Sequence, residues 1–199
     1  MRRSLHALSG LTLLALSLLP DLAGAQRRGR DWPPQHRRSA PQLGLEGGGL
    51  FSRGSSSTTA DASGFDVMGT VGSGMFSLGG GYQRSTVRQS VAGSADNVLD
   101  GFFVEPRLAL PLSAGNFTPY LFGRAAWLTN TRTISGGATT ESSASQVGGG
   151  VGTLIWLAPR LQLNTALVVL DTRAAQTPLD GRSLGVRAGV TIGLDRWGR

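Results

Sequence analysis

Polar and apolar residues alternate with a period of two along eight glycine-rich segments between Leu43 and Leu194. Successive side chains of a strand point to opposite faces, so each segment has one apolar or small face and one face of glycine, amides and charges. In the fourth segment, for example, Phe102 and Val104 alternate with Phe103 and Glu105. Most segments have about the 9–11 residues that a tilted membrane strand needs. The pattern predicts eight β-strands.

The links between these segments alternate in predicted length. A barrel in an outer membrane has short turns on the periplasmic side and longer loops outside, and an even strand number returns the C-terminus to the periplasm. We therefore predict an all-β fold, an eight-stranded antiparallel up-and-down transmembrane β-barrel with four polar extracellular loops. The predicted short links are 72–74, 111–116 and 158–160, and the predicted long links are 52–64, 85–97, 130–145 and 171–180.

Three regions are expected along the chain. Residues 1–25 read as a cleaved signal peptide, with Arg2 and Arg3 before an apolar core and Ala23-Gly24-Ala25 at the cleavage site. Residues 26–40 form a basic leader that is expected to be disordered in the periplasm. Residues 41–199 form the barrel. No later stretch reaches the roughly 20 apolar residues that a membrane-spanning helix requires.

Charge and cysteine content narrow the class of protein further. The chain has no cysteine, which excludes disulfides and thiolate metal sites. Five arginines against Asp31 concentrate positive charge in the leader, whereas the region from Pro41 onward balances 12 arginines with 10 acids. A nucleic-acid protein spreads its basic residues over a folded face, so no nucleic-acid partner is expected. The leader is either a solvated linker or a contact for anionic lipid or cell-wall polymer.

The polar face of the predicted strands carries three acids and three arginines. At eight strands the interior is just wide enough for side chains to fill, so inward charges should form a plug and must pair with one another. Glu105 and Arg107 share the fourth strand and Arg124 lies on the next, so these three should meet; a gated channel is the alternative. The predicted lumen charge network comprises Glu46, Asp66, Glu105, Arg107, Arg124 and Arg187.

Glycine-spaced, aromatic-ended strands give the chain a family resemblance. The segments LGLEGGGLF, FSLGGGYQRS, FFVEPRLAL and TPYLFGRAAW resemble the small eight-stranded outer-membrane barrels of the OmpA/OmpX type, the porin-family barrel domains, over residues 41–194. This resemblance implies a structural, adhesive or weakly pore-forming role. Family members usually end in an aromatic residue that the assembly machinery recognises. In this chain Leu194 or Trp197 is the candidate for that assembly signal. The interfacial aromatic candidates are Phe51, Phe65, Phe76, Tyr82, Phe102, Trp127 and Trp197.

Little in the sequence favours an enzyme. His6 lies in the signal peptide and His36 in the leader, so no barrel residue can act as an imidazole base. Asp96 and Asp100 flank the start of the fourth strand and could contribute to a calcium site, but they do not match the ligand spacing of an EF-hand. No catalytic residue, cofactor or metal is therefore predicted.

The sequence thus predicts a Gram-negative cell-envelope protein of the outer membrane with a structural or surface-interaction role and a filled lumen. Its expected partners are outer-membrane lipid and the barrel-assembly machinery, and it is expected to be a monomer. Two alternatives stay open at this point. One is a narrow passive channel for small solutes, and the other is a secreted soluble barrel that binds a hydrophobic ligand with its apolar face turned inward.

Overall fold

Alternating polarity and β-branched or aromatic residues produce eight long strands. The computed structural model describes residues 42–54, 61–73, 75–88, 96–110, 116–133, 138–158, 160–174 and 180–194. The predicted signal peptide and basic leader lie outside these residues, and so does Trp197. The strands are β1 (Gln42–Gly54), β2 (Asp61–Ser73), β3 (Phe76–Arg88), β4 (Asp96–Ala109), β5 (Phe117–Thr133), β6 (Thr139–Ala158), β7 (Leu161–Ala174) and β8 (Gly181–Gly193).

The strands close into one barrel in chain order. Every strand pairs antiparallel with its sequence neighbours, and β1 also pairs with β8. Pairing partners traced once around the barrel from Gln42 return to β1 at Ser52, ten residues further on. With the spacings of β-structure, a stagger of ten over eight strands tilts the strands by about 41° from the barrel axis. The predicted fold class is confirmed.

The two faces of the strands are also as predicted. Side chains assigned to the polar face point inward, and Glu105 and Arg124 are among the buried residues. Those assigned to the apolar face point outward, where Phe102 is 70% exposed and Ile192 is 48% exposed. Apolar residues on the outside and charges within contradict the alternative of a soluble barrel with an apolar cavity.

The predicted strand ends were wrong at one end of the barrel. We call the end where β1 starts and β8 finishes the terminal end, and the other the opposite end. Strands run deep into all four segments predicted as long loops, leaving links of only five to seven residues at the opposite end. The link between β4 and β5 at the terminal end is equally long. Serine- and threonine-rich segments form strands here because apolar residues such as Val87 and Leu128 alternate with them and pack inside.

Two apolar clusters fill much of the interior beside the charged residues. One joins Phe103 and Met68 to residues nearer the opposite end, and the other surrounds Tyr120 and Phe122. Within the described residues, no helix is long and apolar enough to cross a membrane. The clusters flank the inward-facing charges, which form the candidate site.

Candidate functional site

Six ionised side chains meet at the centre of the barrel. They come from five strands: Glu46 from β1, Asp66 from β2, Glu105 and Arg107 from β4, Arg124 from β5 and Arg187 from β8. Each is at most 6% exposed. We call these six residues the charge belt. The structure brings together every residue that the sequence assigned to the lumen network.

Arg187 contacts all three carboxylates of the belt. Its Nη2 lies 2.6 Å from Oε1 of Glu46, and its Nε lies 3.0 Å from Oδ2 of Asp66. Its Nη1 lies 3.0 Å from Oε1 of Glu105. The planar guanidinium can do this because its donors radiate in a fixed fork. Arg187 is therefore the centre of the belt, a role that the sequence did not single out.

Arg107 and Arg124 neutralise the remaining negative charge of the three carboxylates. The Nη1 of Arg107 lies 2.8 Å from Oε2 of Glu46, and its Nε donates to Oε1 of Glu105 at 2.8 Å. The Nη2 of Arg124 lies 2.9 Å from Oδ2 of Asp66, and its Nη1 lies 3.6 Å from Oε2 of Glu105. Glu105, Arg107 and Arg124 thus meet as the sequence suggested. Three positive and three negative groups leave the belt neutral.

Neutral side chains supply further hydrogen bonds to the belt. Asn164 donates from Nδ2 to Oε1 of Glu46 at 2.6 Å, and Thr191 donates from Oγ1 to its Oε2 at 2.9 Å. Tyr120 donates in turn to Asn164, and its ring lies 5.1 Å from the guanidinium carbon of Arg107. All three lie on the inward face by the alternation rule, but nothing in the sequence marks them as partners of Glu46.

Arg124 also packs against an aromatic ring. Its guanidinium carbon lies 3.6 Å from the ring centroid of Phe103, close enough for a cation–π interaction. The Nε of Arg124 has no hydrogen-bond partner. The aromatic ring therefore covers part of a guanidinium whose carboxylate contacts use only its two terminal nitrogens.

Above the belt, toward the opposite end, the lumen holds a chain of amide hydrogen bonds. Gln83 donates to Gln146 at 3.1 Å, and Gln146 donates to Thr172 at 2.9 Å. A crevice of about 20 Å³ lies beside Ser85, Gln146 and Thr172. That space holds about one water molecule. The arrangement positions charges and excludes solvent, and it offers no nucleophile paired with a base.

Of the two residues considered for calcium, only Asp100 has a side chain in the described part of the barrel. The Asp100 carboxylate accepts a hydrogen bond from the Tyr82 hydroxyl at 3.0 Å. The side chain of Asp96 lies outside the described residues, as does His36. No group of three or more histidine, aspartate or glutamate side chains in the described ranges is placed to hold a metal.

Most of the predicted interfacial aromatics form one row on the outside. Tyr82 pairs across strands with Phe102, which pairs with Trp127. Phe65 lies diagonal to Tyr82, and Phe51 lies diagonal to Phe65. The rings of Tyr82 and Phe102 meet edge to face with centroids 5.9 Å apart. We call these five residues the aromatic row, and it runs from β1 to β5.

Comparison with solved structures identifies the same architecture in outer-membrane proteins. Neisserial surface protein A matches with a TM-score of 0.65 at 15% identity, covering 77% of this chain and 99% of that protein. A major outer membrane protein from Thermus thermophilus matches with a TM-score of 0.55 at 15% identity, covering 78% of this chain and all of that one. No protein-family model and no curated protein sequence matches. The chain has the fold of the small eight-stranded outer-membrane barrels.

Proposed function

We propose that this protein is a bacterial outer-membrane barrel with a structural or surface-interaction role and a lumen that does not conduct. Its termini would lie on the periplasmic side and its opposite end would project outward. The observation that carries the proposal is the combination of an apolar outer face with a neutral, buried charge belt. The fold shared with Neisserial surface protein A and the Thermus protein supports the same location.

The outer face has the height that a membrane requires. On β8, outward apolar residues extend from Leu184 to just beyond the strand at Leu194, both about 60% exposed. Ten residues at 3.3–3.4 Å, tilted by about 41°, span about 25 Å along the axis. Outer-membrane barrels carry an apolar band of about 25 Å. An apolar surface of this extent would be a severe aggregation hazard in water, so lipid is the partner that fits it.

The lumen argues against transport as the main role. The charge belt crosses the barrel from β8 to β4, and its side chains are buried and mutually paired. Opening a path for solute would break several ion pairs at once and leave unpaired charges in a dry interior, which costs several kcal/mol. A narrow passive channel is therefore the weaker candidate.

Heat-modifiable gel mobility tests the membrane location of the barrel. The chain without residues 1–25 would be refolded into detergent micelles and phospholipid vesicles, then run with and without boiling. A folded membrane barrel should migrate differently before and after boiling, and it should float with vesicles. A protein that folds in buffer alone and does not float would contradict the proposal.

Single-channel recording tests whether the lumen conducts. In planar bilayers the reconstituted protein should give no steps above the baseline, with a general porin in the same bilayers as the positive control. Reproducible steps in the picosiemens range or above would instead favour the channel. This outcome would leave the membrane location intact and overturn only the structural role.

A further inference from the structure

The polarity of the two strand faces reverses toward the opposite end of the barrel. Within the apolar band, Val104 faces outward and Glu105 inward, with exposures of 40% and 0%. Further along, Thr129 is exposed on the outside and Leu128 is buried inside. An apolar interior with a polar exterior is typical of a barrel in water. The reversal therefore places the edge of the apolar band just beyond the aromatic row.

The aromatic row covers only part of the circumference at this edge. On β6, β7 and β8 the outward positions at the same height are aliphatic, namely Val147, Val169 and Leu184. Tyrosine and tryptophan anchor a membrane protein at the headgroup level because their rings have an apolar body and a polar tip. The sector from β6 to β8 lacks these anchors and must meet the headgroups in another way.

Three exposed arginines lie on three adjacent strands just beyond that aliphatic edge. Arg182 of β8 lies diagonal to Arg173 of β7, since the direct partner of Arg182 is Asp171. Arg53 of β1 lies diagonal to Arg182 on the other side, since Arg53 pairs with Leu184. Diagonal neighbours are about 7–8 Å apart. We call Arg53, Arg182 and Arg173 the arginine row.

The arginine row is not neutralised by ion pairs. Among the described residues, every ion pair within 4.0 Å belongs to the charge belt. Asp171 lies across from Arg182, and Asp180 lies near Arg173, but neither forms such a pair. The positive charges of these neighbouring arginines repel one another. An external anion would offset that repulsion.

We propose that the arginine row binds the phosphate groups of membrane lipids in the leaflet at the opposite end of the barrel. The guanidinium fork matches phosphate oxygens in bidentate fashion. The row lies at the edge of the apolar band, where lipid phosphates lie in any bilayer that covers that band. This inference rests on the proposed membrane location and adds a lipid contact to it. At the terminal end, Arg160 is the single outward-facing arginine of the described residues.

Electron spin resonance of labelled lipids tests the proposal. The refolded barrel in phosphatidylcholine vesicles would receive spin-labelled phosphatidic acid or spin-labelled phosphatidylcholine, and the motionally restricted fraction gives their relative association. The barrel should favour phosphatidic acid by about five-fold or more at low salt, since each arginine near a charged surface contributes about 1 kcal/mol. High salt should weaken the preference.

A pair of single variants that lose the same charge separates the row from charge in general. Arg182→Gln, which removes the middle arginine of the row, should reduce the preference by about five-fold. Arg160→Gln, which removes the outward-facing arginine at the terminal end, should retain most of it. Equal loss in both variants, or no preference in the unmodified barrel, would overturn the proposal.

Two further outcomes are informative. If inositol hexakisphosphate protects the barrel in detergent against thermal unfolding as strongly as phosphatidic acid does, a soluble anion is the ligand and the lipid proposal is wrong. Insertion into vesicles without any phosphate preference would overturn this inference and leave the proposed function standing. Failure to insert into any vesicle would overturn both.

Discussion

Arg187 and Glu105 meet at the barrel axis although their strands stand on opposite sides of it. β8 and β4 are four strands apart in either direction around the closed sheet, and Nη1 of Arg187 lies 3.0 Å from Oε1 of Glu105. No backbone hydrogen bond connects these two strands. Their side chains therefore link the two halves of the barrel, which ties the stability of the sheet to the integrity of the charge belt.

Removing the central arginine should strongly destabilise the barrel. Arg187→Met keeps much of the side-chain volume but leaves three buried carboxylates facing only two guanidinium groups. Breaking a buried ion pair by removing one partner costs about 3–5 kcal/mol. Urea unfolding of the reconstituted barrel, followed by tryptophan fluorescence, would measure the loss. Arg160→Met, which changes an exposed arginine outside both the belt and the arginine row, should alter the unfolding free energy by less than about 0.5 kcal/mol. Equal effects of the two substitutions would contradict a stabilising belt.

Truncating Glu105 tests the acidic side of the same belt. Glu105→Ala removes the carboxylate shared by all three arginines, so excess positive charge stays buried. We expect a lower midpoint of thermal unfolding in detergent, because buried unpaired charges are costly. Glu141→Ala removes an exposed acid of β6 and serves as the control. An unchanged midpoint for Glu105→Ala would refute the paired lumen.

The orientation of each strand followed from the sequence because a period of two leaves only two choices. Parity divides each strand into two faces, and a membrane location selects the apolar face as the outer one, so the members of the charge belt could be identified from their positions. The ion pairs that these residues form could not be predicted from the sequence, because contacts across the lumen depend on the stagger of the strands. A stagger of ten residues brings β8 and β4 side chains to one level, and no local feature of the sequence reports that number.

The strand ends were misjudged for a different physical reason. Segments rich in serine, threonine and glycine were interpreted as loops because they lack outward apolar residues. They form strands in which small polar residues face out while Val87, Leu99 and Leu128 pack inside. The same inward positions hold charges nearer the centre. The rule that polar residues face inward fits the centre of the barrel and fails toward the opposite end. The surroundings of the barrel change along its length, and the polarity of the two strand faces changes with them.

Two adjacent glycines of β3 should respond in opposite ways to an added methyl group. A Cβ at Gly81 would overlap the carbonyl oxygen of Val67 and the side chain of Met68, whereas the nearest atom to a Cβ at Gly80 is 4.0 Å away. Gly81→Ala should therefore cost about 1–3 kcal/mol of unfolding free energy through overpacking. Gly80→Ala should leave it unchanged or raise it by about 0.4–1 kcal/mol by restricting the unfolded chain. Denaturant unfolding of both variants in one lipid provides the comparison, and a stable Gly81→Ala variant would contradict the close strand approach.

Trp127 should report the edge of the membrane directly. Its side chain is 62% exposed on the outside of β5, at the end of the aromatic row. In a chain with Trp32, Trp156 and Trp197 replaced by phenylalanine, its fluorescence would come from this site alone. Because the row lies at the edge of the apolar band, lipids brominated near the headgroup should quench Trp127 more strongly than lipids brominated near the acyl-chain ends.

Moving the tryptophan to the centre of the band, with Trp127→Phe and Val151→Trp, should reverse the order, since Val151 lies near mid-height on β6 and is 51% exposed. Stronger quenching of Trp127 by lipids brominated near the acyl-chain ends would show that the membrane edge does not lie at the aromatic row. No quenching by either lipid would mean that this face does not contact lipid.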